Sequence, residues 1–354
     1  MIPTEHSGCR LSICIATRNR IELLTETIES ALTQLGEQVE IVVVDGASND
    51  KTPSAMAELA AQDGRIRYFR EEENGGIDRD YDKAVGYATG TYCWLMSDDD
   101  LFLPGAIARV LAASKDDPSL IVVDAHVRDV RQSGLLLENR LSLNADQVYG
   151  VDELEPLFVA TARQLSFIGS VIVRRSLWLD RQRDPYFGSY FIHVGVIFQQ
   201  PLPQGAVVLT SPCLSIRYGN ASWTARSFEI WVFKWPRIVW SLPTISACAK
   251  RSVVMERPYE SVRELILLRS KGAYSREEYH RWVAPGPSSK GKKFMCLVIA
   301  MVPGNLVNLL AICYVLTFSR ARRFALTDLI DSPYYPFKFI RRRLCGQQKS
   351  NQSK

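Results

Sequence analysis

The sequence predicts an α/β protein with a doubly wound, mostly parallel β-sheet and a C-terminal helical, membrane-associated appendage. Three observations lead to this fold class. Through the first hundred residues, short apolar segments alternate with helical segments and are joined by short loops, which is typical of βαβ units. The apolar segments are nearly continuous, as expected for strands buried on both faces. Residues 294–318 form an uncharged stretch that exceeds the about 20 apolar residues needed to span a bilayer.

The individual elements follow from hydrophobic periodicity. Buried strands are predicted over residues 11–16, 39–44, 65–70, 92–96, 121–126 and 167–173. Apolar residues at a helical spacing predict a helix over 21–34, and a second, short helix is expected over 80–88. Residues 127–141 are expected to form a hairpin or loops. In the last predicted strand, Gly169 is expected to allow a close approach of the backbone.

Composition places the chain among globular proteins, with an unusual C-terminal part. Of its 354 residues, 47% are apolar and 23% are charged, so disorder is not expected. The net charge of +5 is uneven. Basic residues of the C-terminal quarter are Lys290, Lys292, Lys293, Arg320, Arg322, Arg323, Arg341, Arg342 and Arg343. Such a tail suits anionic lipid or nucleic acid, and beside the apolar stretch we expect a membrane surface and no nucleic acid.

The cysteines and the N-terminus bear on the compartment. The eight cysteines show no C-x-x-C pairing, and Cys14 and Cys93 lie inside apolar strand patterns, where a reduced thiol acts as a small hydrophobe. A reducing compartment is therefore expected. The first residues carry neither a basic nor an apolar run, so no signal peptide is expected. We expect the protein at the cytoplasmic face of the inner membrane.

The predicted strand over 92–96 runs directly into three consecutive acids, Asp98, Asp99 and Asp100. Three negative charges at the end of a buried strand repel one another unless a cation or solvent neutralises them. Carboxylate oxygens are hard ligands that suit Mg²⁺ or Mn²⁺, which also binds phosphates. The alternative is a solvated acidic turn whose last Asp caps a helix that begins near Pro104.

Polar residues also follow the first two predicted strands. Thr17 and Arg18 come after the first strand and Asp45 after the second. In a doubly wound sheet the carboxyl ends of the strands meet at the ligand site, so these residues are expected to share one cleft with the acids. No G-x-G-x-x-G motif and no P-loop are found, which excludes the corresponding nucleotide sites. For Asp45, a plain Asx turn is the structural alternative.

Five motifs in order resemble those of the family 2 glycosyltransferases of GT-A fold, over about residues 10–200. The motifs are SICIATRNR at 12–20, VVDGASNDKT at 43–52, NGG at 74–76, ATG at 88–90 and SDDD at 97–100. Within this family, residues 93–100 (CWLMSDDD) and 187–195 (FGSYFIHVG) are similar to the abequosyltransferase-type branch, which adds a dideoxyhexose in O-antigen synthesis. In this context the acidic triplet is expected to be functional.

The resemblance implies a metal-dependent transfer of a sugar from a nucleotide sugar to a lipid-linked or polysaccharide acceptor, with Mg²⁺ or Mn²⁺ as cofactor. It implies Asp99 as metal ligand, supported by Asp100. The first acid of the family's DxD motif falls on Ser97, which leaves the division of roles among the three acids open. Residues expected to bind substrate are Thr17, Arg18, Asp45, Gly75, Gly76, Arg79, Asp80 and Asp98. A solvated arginine at a helix start is the alternative for Arg79.

The catalytic base is expected near residue 193. Members of the family usually place a Glu-Asp pair there, whereas this chain has Ile192, His193 and Val194. An imidazole is suited to removing the proton of the acceptor hydroxyl, so His193 is a candidate base, with Asp184 as the substitute. The alternative for His193 is a structural histidine, hydrogen-bonded within a helix that packs on the sheet.

Domain organisation follows from these assignments. We expect a tail over 1–10, a GT-A domain over 11–220 with a nucleotide half (11–118) and an acceptor half (119–220), a helical extension over 221–289, and a membrane-associated tail over 290–354. In the extension, Trp223, Trp231, Trp235 and Trp240 lie among basic residues. They would stack sugars, lie at a lipid interface or form a core stripe. Pro303 interrupts the apolar stretch, so a span, a re-entrant hairpin and a buried helix pair stay open.

Two other functional classes are alternatives to the glycosyltransferase. A nucleotidyltransferase on a similar sheet would need a longer basic, glycine-containing loop after the first strand, and residues 17–20 (TRNR) are too short for it. A non-catalytic nucleotide-sugar-binding module would keep the fold without chemistry, and the intact acidic triplet argues against it.

Overall fold

The computed structural model describes residues 9–220, 226–318 and 322–337. For residues 322 and 323 it describes the backbone alone. In this part of the chain one mixed sheet has the strand order β3-β2-β1-β4-β9-β6-β10-β5, with β7 paired to β6 and β8 to β10. The strands are β1 (Leu11–Thr17), β2 (Val39–Asp45), β3 (Ile66–Arg70), β4 (Tyr92–Met96), β5 (Leu101–Phe102), β6 (Leu120–Arg128), β7 (Leu135–Leu137), β8 (Gln147–Tyr149), β9 (Val171–Arg174) and β10 (Ala206–Arg217).

Helices flank this sheet and make up the C-terminal part. They are α1 (Ile21–Leu32), α2 (Thr52–Gln62), α3 (Ile77–Tyr87), α4 (Ala106–Ala113), α5 (Leu154–Leu165), α6 (Arg175–Asp180), α7 (Ile192–Phe198), α8 (Ser227–Glu229), α9 (Trp235–Ser241), α10 (Ala247–Val253), α11 (Val262–Lys271), α12 (Arg276–Glu278), α13 (Lys290–Met301), α14 (Gly304–Phe318) and α15 (Arg322–Asp331). Short 3₁₀ turns cover Ser114–Asp116, Ile168–Ser170, Asp184–Tyr186 and Pro258–Glu260, and π-helical turns cover Ile230–Lys234 and Tyr279–Val283.

The nucleotide half is the parallel, doubly wound sheet that the sequence predicts. β1 pairs with β2 and β4, and β2 with β3, all in parallel. Every residue of β1, β2 and β4 is buried, which explains their continuous apolar sequences. α3 begins at Ile77, earlier than the predicted 80–88, because Gly76 has φ +89° and turns the chain into the helix. Asp78 and Asp80 then occupy its first turn, where carboxylates are favoured.

The acceptor half departs from the mostly parallel sheet that was predicted. β9 lies between β4 and β6 and is antiparallel to both, so the sheet as a whole is mixed. The connection between β8 and β9 explains why β9 is antiparallel to its neighbours. β8 pairs with the beginning of β10, and α5 carries the chain back to the opposite edge before β9 starts. At Gly169 side chains rather than backbone come close, since a Cβ there would lie 2.4 Å from Phe167 Cζ and 3.1 Å from Leu214 Cδ1, and its carbonyl oxygen accepts from Trp94 Nε1 at 2.8 Å.

The C-terminal residues divide differently from the predicted scheme. Residues 234–256 form one compact unit with the sheet, and the described residues within 221–233 and 257–337 form a second. The predicted extension over 221–289 is therefore not one structural unit. Trp223 lies outside the described residues. Trp235 is buried against Phe191, with ring centroids 4.9 Å apart, and Trp240 donates to the Val254 carbonyl oxygen, as a core stripe would.

The second unit has its own apolar core, built around Phe228, Leu265, Tyr274 and Cys296. The uncharged stretch predicted over 294–318 is broken near Pro303 as expected, and α13 and α14 meet there at 88°. By length and composition, neither of these helices alone could cross a bilayer, although the bent pair together could. Arg320 and residues 341–343 of the predicted basic tail lie outside the described residues.

The edge of the sheet opposite the acids is tied together by one buried carboxylate, Glu40. One of its oxygens accepts from the Ser12 hydroxyl at 2.6 Å and from the Thr89 amide and hydroxyl, and the other accepts from Arg67 at 3.0 Å. Burial acts to raise the pKa of Glu40, but these hydrogen bonds outweigh it and hold the pKa below its usual value. The Gly90 amide donates to the Ser12 hydroxyl, which brings the start of β4 against β1.

Gly90→Ala should lower the free energy of unfolding by about 1–3 kcal/mol, the usual size of an overpacking strain. A Cβ at this position would lie 2.8 Å from the Ser12 amide nitrogen and 2.9 Å from the Leu11 carbonyl carbon, which are backbone atoms. Gly86→Ala is the matched control, because a Cβ there meets nothing within 4 Å and alanine favours the helix by about 0.5–1 kcal/mol. Urea unfolding would measure both. A Gly90→Ala protein as stable as the wild type would contradict the close packing.

Candidate active site

The candidate site lies where β1, β2 and β4 end. Thr17 and Asp45 are direct neighbours in the register of β1 and β2, and Ser97 follows β4 on the other side of β1. Because parallel strands end at the same edge, side chains far apart in sequence meet here. The convergence expected for Thr17, Asp45 and the three acids is therefore present, and these residues are all at least half-buried.

Arg20 is the counter-ion of the acidic triplet. Its Nη1 donates to Asp98 Oδ1 at 2.8 Å and its Nη2 to Asp99 Oδ2 at 2.7 Å. Thr17 donates from its hydroxyl to the other oxygen of Asp98 at 2.8 Å. Burial raises the pKa of Asp98 to about 6, the Arg20 charge opposes this rise, and the Asp99 charge adds to it. One arginine fork therefore holds two of the three carboxylates side by side.

Asp100 has a different environment. Its Oδ1 accepts from the Arg217 amide at 2.7 Å and its Oδ2 from the Ser97 hydroxyl. Burial, followed by the charge of Asp99, raises the pKa of Asp100 well above its usual range. The alternative role, a cap on the following helix, is not what the structure shows. α4 begins at Ala106 after Gly105, and no side chain caps it.

The donor set fits a divalent ion through Asp99. Both oxygens of Asp98 and of Asp100 already accept hydrogen bonds. Within the described residues, Asp99 Oδ1 accepts none, and this side chain is 13% exposed. Mg²⁺ commonly takes only one or two carboxylates and completes its shell with water and substrate phosphates. The described residues contain no ready-made group of three or more ligands. Each oxygen of Asp100 accepts one hydrogen bond, and its role as a supporting ligand stays a prediction.

Asp45 is completely buried and has two partners. Its Oδ1 accepts from the Ser48 amide at 2.8 Å, and its Oδ2 accepts from the Tyr68 hydroxyl at 2.6 Å. The first bond reaches the amide three residues along the chain, one residue further than in the Asx turn considered as the alternative, and it spans Ala47, which has φ +62°. The structure thus gives Asp45 a role in shaping the loop, and its contact with a nucleobase stays a prediction.

Asp80 faces the same loop from α3. It is 3% exposed, and its Oδ2 lies so close to Gly46 that a Cβ there would be 2.8 Å away. Within the described residues its Oδ1 has no hydrogen-bond partner. Burial raises the pKa of Asp80 to about 6, Lys83 opposes the rise, and the charges of Glu71 and Asp45 add to it. A buried carboxylate with a vacant acceptor oxygen fits the substrate-binding role predicted for it.

Arg79 and Asp184, predicted separately, line one open pocket of about 570 Å³ together with Phe187 and Arg183. The guanidinium of Arg79 stacks on the Phe187 ring, 4.4 Å from its centroid. Asp184 is exposed in the short 3₁₀ turn that follows α6. Of the other predicted contacts, Arg18 and Gly75 are exposed and Gly76 is half-buried at the same edge of the sheet.

His193 does not fit the role of a base. It lies in α7 with 1% exposure, and its Nε2 is 2.6 Å from the Leu165 carbonyl oxygen. Since that carbonyl only accepts, the ring carries its proton on Nε2. Burial lowers the pKa of His193 to about 4, although the bond to Leu165 opposes this shift. An imidazole without access to solvent cannot reach an acceptor hydroxyl, so the structural alternative describes it.

Asp78 positions the loop that precedes α7. It is buried, and its carboxylate accepts from the amides of Tyr190 at 2.9 Å and Ile192 at 3.2 Å. Burial raises the pKa of Asp78, and these backbone bonds oppose the rise. Tyr190 has φ +69°, which is costly for a residue with a side chain. The nucleotide half thereby shapes the loop that carries Phe187.

Comparison with known proteins agrees with this geometry. Residues 12–168 match the family described as Glycosyl transferase family 2, and this segment contains the ends of β1, β2 and β4 and the acidic triplet. This segment is therefore similar to the family 2 glycosyltransferases, and the resemblance inferred from the motifs is confirmed.

Curated relatives extend the comparison. The chain is 32% identical over 114 residues to the succinoglycan biosynthesis protein ExoO of Rhizobium meliloti, covering 32% of each chain. It is 31% identical over 108 residues to GalNAc(5)-diNAcBac-PP-undecaprenol beta-1,3-glucosyltransferase of Campylobacter jejuni, covering 30% of this chain and 35% of that protein. It is 25% identical over 230 residues to abequosyltransferase RfbV of Salmonella typhimurium, covering 60% and 68%. The chain thus spans about a third of the length of the first two relatives.

Solved structures share the fold. S. aureus TarS, residues 1–349, has a TM-score of 0.54 at 15% identity, covering 91% of this chain and 90% of that chain. The same protein in complex with UDP has a TM-score of 0.55 at 15% identity, covering 91% and 88%. At this identity the likeness concerns the fold, and it supports the GT-A architecture expected from the motifs.

Sequence analysis missed three residues that shape the site. Arg20 lies in the TRNR segment, but only its closing onto Asp98 and Asp99 reveals its role. Arg217, whose amide bonds Asp100, is 117 residues away in sequence, and no local signal points to it. The acidic first turn of α3 was visible in the sequence, but the partners of Asp78 lie more than 110 residues away.

Proposed function

We propose that this protein is a metal-dependent glycosyltransferase that moves a sugar from a nucleotide-sugar donor to a lipid-linked or polysaccharide acceptor. The observation that carries the proposal is the acidic triplet at the end of β4, held by Arg20 and Thr17 inside a segment of the glycosyltransferase family 2. Similarity to RfbV over 230 residues supports a dideoxyhexose as the sugar. The name of the succinoglycan biosynthesis protein ExoO supports synthesis of a polysaccharide, and the motif resemblance to the abequosyltransferase-type branch makes O-antigen or another surface polysaccharide the proposed product.

The transfer has a simple balance. The bond between the anomeric carbon and the diphosphate oxygen breaks, a bond from the acceptor hydroxyl oxygen to that carbon forms, and the hydroxyl proton passes to a base. Mg²⁺ or Mn²⁺, when bound, neutralises the charge that develops on the leaving diphosphate. Asp99 offers that ion its vacant oxygen. UDP bound to TarS supports a nucleoside diphosphate as the leaving group.

The chain's other polar residues would orient the donor. Asp45 and Asp98 would lie at the nucleobase and ribose, Asp80 would accept from a donor hydroxyl or amide, and Arg79 would donate to phosphate. The remaining predicted contacts, which line the rim, are Thr17, Arg18, Gly75 and Gly76.

Asp99→Asn should lower donor turnover by at least about 100-fold, because the amide is a poor metal ligand and several kcal/mol of charge stabilisation depend on it. EDTA should do the same to the wild type. The measurement is release of nucleoside diphosphate from a panel of UDP-, CDP-, GDP-, dTDP- and ADP-sugars. Asp116→Asn, the same change at an exposed carboxylate, should keep full activity. Undiminished turnover of the wild type in EDTA would contradict metal dependence.

The same assay separates the rival classes. A nucleotidyltransferase would release pyrophosphate from a nucleoside triphosphate, whereas a glycosyltransferase releases nucleoside diphosphate from a nucleotide sugar. A binding module would bind the donor and release nothing. Residues 18–20 form a short loop that leads directly from β1 into α1, and this favours the glycosyltransferase over the nucleotidyltransferase.

For the base, we propose Asp184 in place of His193. Asp184 is exposed and shares its pocket with Arg79, so an acceptor hydroxyl has access to both a carboxylate and a cation. A carboxylate is also the group that the motif resemblance leads one to expect. His193, by contrast, has its Nε2 committed to the Leu165 carbonyl oxygen.

Asp184→Asn should reduce turnover by about 100-fold or more while donor affinity is retained, because the proton acceptor is lost and the pocket is not. His193→Ala should instead lower the free energy of unfolding by about 2–4 kcal/mol, since it leaves a cavity and an unpaired carbonyl. Its turnover per folded molecule should stay near normal. Turnover with radiolabelled donor and thermal unfolding measure the two effects. The reverse pattern would restore His193 as the base.

We further propose that the C-terminal unit docks on the lipid surface that carries the acceptor. After Asn308, α14 is apolar around most of its surface and largely exposed, with Leu310 62%, Tyr314 62% and Phe318 71% exposed. A helix without a polar face is typical of protein cores or membranes. Lys290 and Lys292 are exposed where α13 begins, as suits anionic headgroups. The name of the Campylobacter relative, which includes PP-undecaprenol, supports a lipid-linked acceptor at the cytoplasmic face of the membrane.

Replacing Leu310 and Tyr314 together by lysine should weaken binding to phosphatidylglycerol–phosphatidylethanolamine vesicles by at least about tenfold, because charged side chains resist burial among acyl chains. The matched control replaces Val148 and Val159, exposed in the sheet-containing unit, by lysine and should bind as the wild type does. Vesicle co-sedimentation of the full chain gives the affinities. A wild-type protein that stays in the supernatant would contradict membrane docking.

A further inference from the structure

We propose that Arg20 takes the place of the divalent cation when no donor is bound, and that it thereby prevents the metal from binding before the donor. The inference rests on the proposed metal-dependent transfer and concerns the order in which metal and donor enter the site. Its basis is the fork that Arg20 forms with Asp98 and Asp99.

The contacts show that Arg20 occupies the position where a cation is needed. One guanidinium nitrogen bonds to each of the two neighbouring carboxylates, at 2.8 and 2.7 Å. In the part of the chain that the structure describes, the side chain of Arg20 makes no other hydrogen bond. The side chain is 20% exposed, so it has room to move toward solvent. Among the described residues, the two acids are therefore its side-chain hydrogen-bond partners.

The carboxylate oxygens are correspondingly occupied. Of the six oxygens of the triplet, Asp98 and Asp100 contribute four that each accept a hydrogen bond from Thr17, Arg20, Ser97 or the Arg217 amide. Asp99 Oδ2 accepts from Arg20. Within the described residues, Asp99 Oδ1 is therefore the one oxygen of the triplet that accepts no hydrogen bond. A single oxygen beside a fixed positive charge is a poor site for a free divalent ion, because the guanidinium both blocks a second oxygen and repels the ion.

A nucleotide diphosphate changes this balance. It brings at least two negative charges and several hard oxygens, so the ion gains ligands that the protein alone does not offer. The guanidinium, once it leaves Asp99, is a fork of donors that suits a phosphate oxygen pair. Metal and donor are thus expected to bind together, with Arg20 passing from the acids toward the diphosphate.

The test is the affinity for Mn²⁺ without any nucleotide, measured by electron paramagnetic resonance of the free ion. Arg20→Gln should bind Mn²⁺ about tenfold more tightly than the wild type, the order expected for removing one charge beside a divalent ion at a partly exposed site. Arg20→Lys keeps the charge but lacks the planar fork of donors that spans the two carboxylates, so it should tighten Mn²⁺ binding by a smaller factor. Donor turnover should fall in Arg20→Gln, although the metal binds better.

Thr17→Val is the matched control, because it removes a hydrogen bond to Asp98 without removing a charge, and its Mn²⁺ affinity should not rise. A purely structural role for Arg20 predicts equal or weaker Mn²⁺ binding in Arg20→Gln, and that result would overturn the inference. If Arg20→Gln does not fold, unchanged or weaker Mn²⁺ binding in Arg20→Lys decides against the inference.

Mn²⁺ titrations in the presence of UDP, CDP, GDP or dTDP distinguish a failure of the proposed metal dependence from a failure of this inference. Wild-type protein that binds Mn²⁺ with none of them contradicts metal dependence itself, whereas nucleotide-dependent binding without an Arg20 effect removes only this inference.

Discussion

Like charges gathered at the end of a buried strand are the constraint on which the rest of this structure depends. Asp98, Asp99 and Asp100 follow the fully buried β4, and bringing three carboxylates together there costs free energy that must be offset locally. The fold does so from elements far apart in the chain. Arg20 at the start of α1 pairs with two of the acids, and the Arg217 amide at the end of β10 bonds the third.

Buried acids at the two ends of the parallel strands have pKa values shifted in opposite directions. Glu40 has hydrogen-bond partners on both oxygens, and its pKa lies below its usual value. At the other end, Asp98 and Asp80 have raised pKa values, chiefly because of burial, and Asp80 Oδ1 lacks a partner among the described residues. The first end is fully satisfied and stabilising. The second keeps one unsatisfied carboxylate oxygen among the described residues, a feature that is common at functional sites.

Sequence alone predicted the nucleotide half well, because its signals are local. Continuous apolar segments gave β1, β2 and β4, and the motif order pointed to the glycosyltransferase family. The acceptor half was harder. The direction of β9 depends on how α5 crosses the sheet, which no short segment encodes. His193 was assigned by its position in a motif, whereas burial in α7 and the carbonyl of Leu165 decide its chemistry.

Long-range contacts also explain how the two halves of the domain cooperate. Asp78 belongs to the first turn of α3, yet its hydrogen bonds fix the amides of Tyr190 and Ile192 in the acceptor half. The loop so held carries Phe187, on which Arg79 from the same turn of α3 stacks. Consecutive residues of one helix thus shape the acceptor-side loop and line its pocket. Since α3 also carries Asp80 beside Gly46, a shift of this helix on donor binding would reach the pocket of Asp184 directly. The first turn of α3 therefore connects the loop after β2 with the loop that carries Phe187.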